Sequence, residues 1–381
     1  MVQAPIPFNS SDFSLEDLKC LQEALAGRHS SGNGMFTQKA EARINGVLSS
    51  SRVLLTTSCT HALEMSALLC NLTARDEVIV PAFTFVSTAS AFALSGAKPV
   101  FVDSRPDTLN IDASLIEAAI TSRSRAICVV HYGGVGCDMQ EIAELAKTHK
   151  LTLIEDNAHG MFAKYKGKYL GTFGALATQS FHETKNIVCG EGGALIVNDE
   201  SLIERAEILR EKGTNRSRFL RGQVDKYTWV DIGSSWVMSD LLAAILYSQL
   251  LRAEEINARR LQIWNRYDTE LSDWAQQNGV TTPFVPEGCE HVGHVFHLRF
   301  GSLSQRTRFI AALKEKQISA VFHYQALHMS PMGQHFGGYV GQCPVAEQAS
   351  DCLVRLPLFN SMTDDEQTRV IEAVQHFVVR R

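Results

Sequence analysis

The chain has 381 residues, of which 45% are hydrophobic and 20% charged, and its formal net charge is −5 at pH 7. This composition is ordinary for a globular protein, and the length allows two domains. The negative charge argues against a general role in binding nucleic acid or an anionic membrane surface.

Targeting and metal-binding patterns are missing from the sequence. No apolar run approaches the roughly 18 residues that a membrane span requires, and the first residues lack a secretory signal pattern. The nine cysteines include no Cys-x-x-Cys pair. We therefore expect a cytoplasmic protein with reduced thiols, no metal site and no membrane insertion.

Seven short apolar segments in the first half have the length and the Val, Ile and Leu content of strands that are covered on both faces. Helical patterns separate several of them, as at Ser114–Ala119 and Met139–His149. This alternation predicts right-handed β-α-β units and a mainly parallel sheet. The last segment follows a glycine-rich turn closely and could pair antiparallel. The predicted strands are Val53–Thr57, Glu77–Val80, Pro99–Asp103, Ala126–Val130, Leu151–Glu155, Ala177–Phe181 and Ala194–Asn198.

The second half predicts a smaller α+β domain that follows a polar loop and a long helix. We expect an α/β protein with a large domain over residues 1–250 and a small C-terminal domain over residues 251–381. The predicted elements are a helix over 201–212, a loop over Gly213–Tyr227, a long helix over Ser239–Leu271 with Ser239 as its N-cap, strands Val295–Phe300 and Ala320–Tyr324, and helices Gln305–Lys316 and Asp364–Val378.

Three polar motifs follow predicted strands, where doubly wound sheets bind ligands. Ser58-Cys59-Thr60 opens a helix after the first strand, and backbone N–H groups at a helix N-terminus favour a phosphate. Asp156 follows the fifth strand, and Ser180 to Lys185 follow the sixth. Taken singly, a helix cap, a capping acid and a solvated lysine are the commoner roles, but all three motifs are expected at one end of the sheet.

Asp156 and Lys185 suit an enzyme that uses an aldehyde cofactor. A buried acid can keep a pyridine nitrogen protonated, which makes the ring an electron sink. A lysine whose pKa is lowered by burial can attack the aldehyde to form a Schiff base and later move a proton. Phe85 follows another strand and could stack on the cofactor ring, although core packing is the commoner role of a phenylalanine.

A basic loop and the lack of nucleotide motifs bear on the substrate. Arg216–Arg221 carries only positive charges and could meet an anionic group such as a diphosphate, or it could be merely solvated. No Gly-x-Gly-x-x-Gly follows a strand and no P-loop pattern occurs, so a dinucleotide enzyme or P-loop NTPase is unsupported.

The ordered set of motifs resembles the DegT/DnrJ-type sugar aminotransferases, which are pyridoxal-phosphate-dependent enzymes of fold type I acting on nucleotide-linked keto sugars. The resemblance extends over nearly the whole chain. Its motifs are Ile6-Pro7-Phe8, Ser58-Cys59-Thr60-His61-Ala62-Leu63, Val80-Pro81-Ala82-Phe83-Thr84-Phe85, Phe101-Val102-Asp103, Glu155-Asp156-Asn157-Ala158-His159, Ser180-Phe181-His182-Glu183-Thr184-Lys185-Asn186, Gly190-Glu191-Gly192-Gly193, His323-Tyr324 and Leu356-Pro357-Leu358.

The resemblance implies pyridoxal 5'-phosphate as cofactor, glutamate and a nucleotide-linked keto sugar as substrates, and a homodimer with each active site at the subunit interface. It implies that Lys185 is the Schiff-base lysine and proton shuttle and that Asp156 pairs with the ring nitrogen. The other cofactor contacts it implies are His159 beside the ring, Phe85 stacked on it, and Ser58, Cys59, Thr60 and Ser180 around the phosphate. The candidates for substrate binding are Arg216, Arg221, His323 and Tyr324.

Two departures and several alternatives accompany the resemblance. Ser235-Trp236-Val237 stands where many members have Asn-Tyr-Arg near a loop that reaches the partner's phosphate, and Asn157 stands where Ala or Cys is usual. The stretch from Glu211 to Ser235 is similar to members that act on a dTDP-linked 4-keto sugar. The alternatives are amino transfer at C3 or with gluco configuration at C4, a dehydratase, which typically has histidine in place of Lys185, and a non-catalytic regulator that binds the cofactor.

Overall fold

The structure is a computed structural model that describes residues 4–379, and a seven-stranded sheet forms its centre. The order is β1-β9-β8-β5-β4-β2-β3; neighbouring strands from β8 to β3 are parallel, whereas β9 runs antiparallel to β1 and β8. The strands of the described residues are β1 Arg52–Thr56, β2 Glu77–Pro81, β3 Lys98–Val102, β4 Ser124–Val130, β5 Thr152–Asp156, β6 Lys164–Tyr165, β7 Lys168–Tyr169, β8 Leu176–Ser180, β9 Gly193–Val197, β10 Cys289–Glu290, β11 His297–Arg299, β12 Val321–Phe322 and β13 Leu353–Arg355.

All seven predicted strands are present within two residues of their expected bounds, and the last one is antiparallel as the close turn suggested. They are buried because helices cover both faces of the sheet. Val80 and Ile154 pack into one hydrophobic cluster with α3 and α4, whereas Ile79 and Leu153 pack into another with α5 and α6. Burying each such side chain contributes about 1.5–3 kcal/mol, and the two-residue period assigns neighbours to opposite faces.

The predicted helices are present with three differences, one of which is that the long helix ends at Asn278 rather than near Leu271. The predicted helix over Ser239–Leu271 is two helices, α9 and α10, which meet at Arg252, where φ is −102° and ψ is 11°. The loop predicted over Gly213–Tyr227 contains one short helix, α8. The helices are α1 Leu15–Ala26, α2 Met35–Leu48, α3 Cys59–Leu69, α4 Ser87–Leu94, α5 Ala113–Ala119, α6 Met139–Thr148, α7 Ile203–Arg210, α8 Arg216–Leu220, α9 Asp240–Leu251, α10 Ala253–Asn278, α11 Leu303–Glu315, α12 Pro331–His335, α13 Pro344–Cys352 and α14 Asp364–Gln375.

The break between α9 and α10 coincides with a tertiary ion pair of Arg252. Its guanidinium lies 3.2 Å from the Asp17 carboxylate of α1. Neither glycine nor proline marks the break, so the sequence pattern continued across it. Ser239 does cap α9 as predicted, accepting a hydrogen bond from Leu241 N–H. No helix within residues 4–379 is long and apolar enough to cross a membrane.

A second, smaller unit follows α10. The antiparallel sheet β11-β13-β12 packs its apolar face against α10, α11 and α14. Ile6 is fully buried in the same cluster, and its backbone joins this unit: Ile6 N–H donates to Gln317 O, and Ser319 N–H donates to Ile6 O. A cluster made of Ile6 and residues from 263 onward supports the proposed small domain; its boundary at residue 251 stays a prediction.

Candidate active site

The N-terminus of α3 lies at the carboxyl end of β1. Ser58 is the N-cap, and its hydroxyl accepts the N–H of His61 at 3.1 Å. The backbone N–H groups of Cys59 and Thr60 have no hydrogen-bond partner among residues 4–379. They therefore remain available to an anion at the positive end of the helix dipole.

Backbone packing sets the position of this turn. Gly193 of β9 lies so close that an added Cβ would be 2.3 Å from Cys59 N and from Ser58 C. Ser180, the last residue of β8, pairs with Gly193 in the sheet register. The Cys59 thiol donates a hydrogen bond to Oγ1 of Thr178, which also belongs to β8, at 3.3 Å. The sheet thus brings two of the predicted phosphate-binding segments together, one after β1 and one at the end of β8.

Asp156 is a buried acid at the carboxyl end of β5. One carboxylate oxygen accepts the Thr88 hydroxyl at 2.8 Å, and the other accepts the N–H of Ala158 at 3.2 Å. Burial raises the pKa of Asp156 above its usual value, and the hydrogen bond from Thr88 opposes that rise. The Thr88 hydroxyl in turn lies 2.8 Å from that of Thr84.

Lys185 projects from the loop between β8 and β9. The loop is closed by hydrogen bonds from Phe181 N–H to Gly192 O and from Glu183 N–H to Gly190 O. The Lys185 side chain keeps some accessible surface, but protein atoms surround its amine. This burial lowers the pKa of Lys185 to about 8, and the nearby Cys59 and Asp156 oppose the shift. The amine makes no ion pair with Asp156 in residues 4–379. The acid and the amine therefore influence each other without being in contact.

The ring groups of the cleft are Phe85, His159 and Tyr324. Phe85 is 55% exposed, and its ring centroid lies 6.1 Å from that of Tyr324. His159 Nδ1 accepts the N–H of Gly133 at 3.2 Å, so the neutral ring carries its proton on Nε2 and donates it to the Tyr324 hydroxyl at 3.2 Å. Burial lowers the pKa of His159 well below its usual value. The Tyr324 O–H is consequently free to donate to a ligand.

Further imidazoles extend the cleft toward the small unit. His323 Nδ1 is 2.9 Å from the Tyr132 hydroxyl, and His294 Nδ1–H donates to Asn186 Oδ1 at 2.9 Å. Burial lowers the pKa of His323 and His294 well below the usual range and that of His297 to about 3. These side chains are neutral at pH 7, so they bind by hydrogen bonds rather than by charge.

Arg216 and Arg221 do not join this cleft within the described chain. Arg216 lies 3.6 Å from Glu211, and Arg221 lies 2.8 Å from Glu207, so both guanidinium groups face acids of their own region. No contact in residues 4–379 connects either one to Lys185. Their assignment to the substrate stays a prediction.

His131 and Asn157 make buried hydrogen bonds within the fold. His131 donates from Nε2 to Glu155, whose carboxylate also accepts three backbone N–H groups of residues 171–174. The Asn157 amide donates to Gly160 O and Leu170 O. Neither of these donors is directed to Asp156.

Sequence reasoning missed several residues of the cleft. Thr88 comes from α4, Tyr132 follows β4, and His297 and Arg355 come from the small sheet. Thr88 lies three residues after Phe85, which the sequence did predict as a cofactor contact. A polar side chain at that spacing was the signal that could have identified Thr88. His297 and Arg355 of the small sheet carry no local sequence signal of a site. They could not be predicted because only the tertiary fold brings them to the cleft.

Comparisons with known proteins agree with this geometry. A model of the DegT/DnrJ/EryC1/StrS aminotransferase family matches residues 12–375. The chain is 33% identical to the spore coat polysaccharide biosynthesis protein SpsC of Bacillus subtilis, over 98% of this chain and 97% of that protein. The aminotransferase TlmJ of Streptoalloteichus hindustanus has a TM-score of 0.90 at 30% identity, over 98% of each chain. The PLP form of Spr1654 from Streptococcus pneumoniae, a proposed sugar aminotransferase, has a TM-score of 0.89 at 25% identity, over 98% of each chain.

These similarities confirm the expected fold and pyridoxal phosphate as the cofactor. The cleft fits that group in three respects: free N–H groups at an 11-residue helix for a phosphate, a buried acid for a ring nitrogen, and a lysine with a lowered pKa for an aldehyde.

Proposed function

This chain belongs to the DegT/DnrJ/EryC1/StrS aminotransferase family, and on that premise we propose that it transfers the amino group of glutamate to C4 of a nucleotide-linked keto sugar. One observation carries the proposal: Asp156, Lys185 and the α3 N-terminus converge at one end of the sheet. Bound pyridoxal phosphate supplies the carbonyl that accepts an amino group and the ring that stabilises negative charge on the substrate carbon.

Lys185 is proposed to bind the cofactor aldehyde and then to act as the acid–base group. A pKa of about 8 leaves a useful fraction of neutral amine near neutral pH. The amine takes a proton from the α-carbon of glutamate, and in the second half of the reaction it delivers a proton to the sugar carbon. The face of the sugar that Lys185 meets determines whether the product amine is axial or equatorial.

The other residues are proposed to hold the cofactor in place. Asp156 keeps the ring nitrogen protonated, and Phe85 covers the ring. His159 lies beside the ring as a neutral side chain. The remaining proposed contacts are those with the phosphate, from Ser58, Cys59, Thr60 and Ser180.

We infer the sugar from the segment Glu211 to Ser235, which is similar to dTDP-4-amino-4,6-dideoxygalactose transaminase of enterobacterial common antigen synthesis. The proposed substrate is dTDP-4-keto-6-deoxyglucose, and the product is dTDP-4-amino-4,6-dideoxygalactose, for lipopolysaccharide or enterobacterial common antigen biosynthesis in the cytoplasm. His323 and Tyr324 are proposed to contact the sugar. Arg216 and Arg221 are proposed to contact the diphosphate bound in the partner's cleft of a homodimer.

The proposal is tested by incubating the holoenzyme with glutamate and a panel of nucleotide-linked keto sugars, followed by NMR of each product. We expect 2-oxoglutarate and an axial amine at C4 of a dTDP-linked 6-deoxy sugar. Lys185→Ala should abolish turnover. This variant serves as the control for non-enzymatic amination.

Each alternative gives a distinct outcome in the same assay. An amine at C3 or an equatorial amine at C4 would contradict the proposed regiochemistry or configuration. Loss of a hydroxyl without amino transfer would indicate a dehydratase. Cofactor binding without turnover of any keto sugar would favour a non-catalytic regulator.

A further inference from the structure

Arg355 is a cation of the cleft that no predicted role includes. It ends β13, the middle strand of the small sheet, opposite His297 on one side and Val321 on the other. Its Nη2 donates to Phe322 O at 3.1 Å, and its guanidinium carbon lies 4.5 Å from the ring centroid of Phe8. The N-terminal segment therefore covers one face of the guanidinium.

The guanidinium lacks an anionic partner. No carboxylate in residues 4–379 forms an ion pair with Arg355, and Nη1 makes no hydrogen bond there. Two other buried arginines differ: Arg210 pairs with Glu41 at 2.7 Å, and Arg260 donates to three backbone carbonyl groups. A partly buried charge without a partner is unfavourable, which is evidence for a bound anion.

The side chains next to Arg355 include neutral rings. Its neighbour His297 lies 6.0 Å from Tyr132, ring to ring, and Tyr132 contacts His323. Burial lowers the pKa of these imidazoles, and Arg355 lowers it further. Phe8, whose ring lies against the Arg355 guanidinium, is followed by Asn9, and the Asn9 amide donates to Glu183 O in the loop that carries Lys185. The two cations therefore lie in the same region, and Arg355 acts with burial to lower the pKa of Lys185. An anion bound between them would stabilise both.

We propose that Arg355 binds the α-carboxylate of the amino-acid donor and so determines the enzyme's preference for an α-amino acid. This inference rests on the proposed function. The carboxylate is bonded directly to the carbon from which Lys185 takes a proton, so it must lie close to that amine. A planar guanidinium fixes a carboxylate with parallel N–H donors, and this orients the α-carbon toward Lys185.

A carboxylate fits better than the sugar diphosphate for two reasons. The diphosphate is attached at the opposite side of the sugar ring from C4, so it lies farther from Lys185. It also carries more negative charge than one guanidinium among neutral imidazoles can balance. The same neutral imidazoles suit the hydroxyl groups of a sugar, which alternates with the donor in the cleft.

The test compares Arg355→Gln with the wild type in both half-reactions. We expect the KM for glutamate to rise about 10- to 100-fold, the loss typical of a charge-assisted hydrogen bond, while the KM for the keto sugar stays within about twofold. Isoglutamine, whose α-carboxylate is an amide, should lose its disadvantage relative to glutamate in this variant. Glutamine, which keeps the α-carboxylate, should follow glutamate.

A binding measurement accompanies the kinetics. Calorimetric titration of 2-oxoglutarate into the holoenzyme should show a similar loss of affinity in Arg355→Gln and partial recovery in Arg355→Lys, which keeps the charge. Arg299→Gln is the matched control, because Arg299 is a partly buried arginine of the same sheet; it should bind the dicarboxylate like the wild type.

The outcomes separate this inference from the proposed function. Unchanged donor KM and dicarboxylate affinity in a folded Arg355→Gln would overturn it. An increase in the KM of the sugar nucleotide alone would reassign Arg355 to the diphosphate and also overturn it. If the wild type failed to use glutamate at all, the proposed function would fail, and the calorimetric comparison would still decide the carboxylate site.

Discussion

Two hydrogen bonds favour the ionised form of Asp156, one from the Thr88 hydroxyl and one from the Ala158 N–H. Burial alone would favour the protonated acid, which could not hold the ring proton, and the Thr88 hydrogen bond stabilises the ionised form. The Thr84 hydroxyl lies 2.8 Å from that of Thr88 and orients it. If Asp156 holds the ring nitrogen as proposed, activation of the cofactor depends on this pair of threonines in addition to the acid itself.

We predict that Thr88→Val raises the pKa of Asp156, because the bond that favours the ionised carboxylate is lost. The acidic limb of the profile of log(kcat/KM) against pH should shift to higher pH. At neutral pH the rate should fall about 10- to 100-fold, as for the loss of a hydrogen bond to a charged group.

Thr84→Val is the matched control for this prediction, since its hydroxyl is one bond removed from Asp156. The acidic limb of the pH profile should shift less in Thr84→Val than in Thr88→Val. An acidic limb in Thr88→Val that superimposes on that of the wild type would show that the hydroxyl does not control the acid.

At this scale, Asp156 and Lys185 could be predicted from sequence because each belongs to a local motif at a strand end. Arg355 and His297 could not, because they lie more than a hundred residues later and meet the cleft only through the pairing of β11 and β13. Arg216 and Arg221 show the opposite case: a basic stretch suggested an anion site, whereas within the described chain its arginines contact Glu211 and Glu207.

The phosphate turn depends on how closely two elements approach each other. The start of α3 packs directly on Gly193 of β9, and the close atoms are backbone atoms that cannot turn aside as a side chain would. The glycine-rich approach to β9 is therefore needed for the geometry of the turn as well as for the preceding loop.

We predict that Gly193→Ala displaces the α3 N-terminus. The affinity for pyridoxal phosphate should fall at least about tenfold, and the free energy of unfolding should decrease by about 1–3 kcal/mol, the usual cost of forcing extra volume into a packed site. Titration of the apoenzyme with the cofactor and urea unfolding measure the two effects.

Gly46→Ala provides the comparison, because an added Cβ within α2 meets nothing within 4 Å. It should leave cofactor affinity unchanged and stabilise the protein by about 0.5–1 kcal/mol. Equal cofactor affinity in Gly193→Ala and the wild type would contradict the close approach.

Element positions were predictable where hydrophobic periodicity is strong, as in the seven buried strands. The break at Arg252 was not predictable, because no glycine or proline marks it in the sequence.

At the scale of the whole molecule, the cleft lies between the large sheet and the small unit. Asp156 and Lys185 come from the first, and Tyr324 and Arg355 come from the second. The N-terminal segment connects them: Ile6 pairs with Ile318, and Asn9 donates to Glu183 O in the loop that carries Lys185. Sequence composition predicted two domains, but it gave no sign that the first residues would join the last, because a single buried isoleucine has no periodic pattern.

The central claim is that Lys185 is the amine that binds the cofactor aldehyde. The most direct test is borohydride reduction of the holoenzyme followed by peptide mass spectrometry. We expect the added mass of a phosphopyridoxyl group on the Lys185 side chain. The same mass on a different lysine, with residue 185 unmodified, would contradict the account.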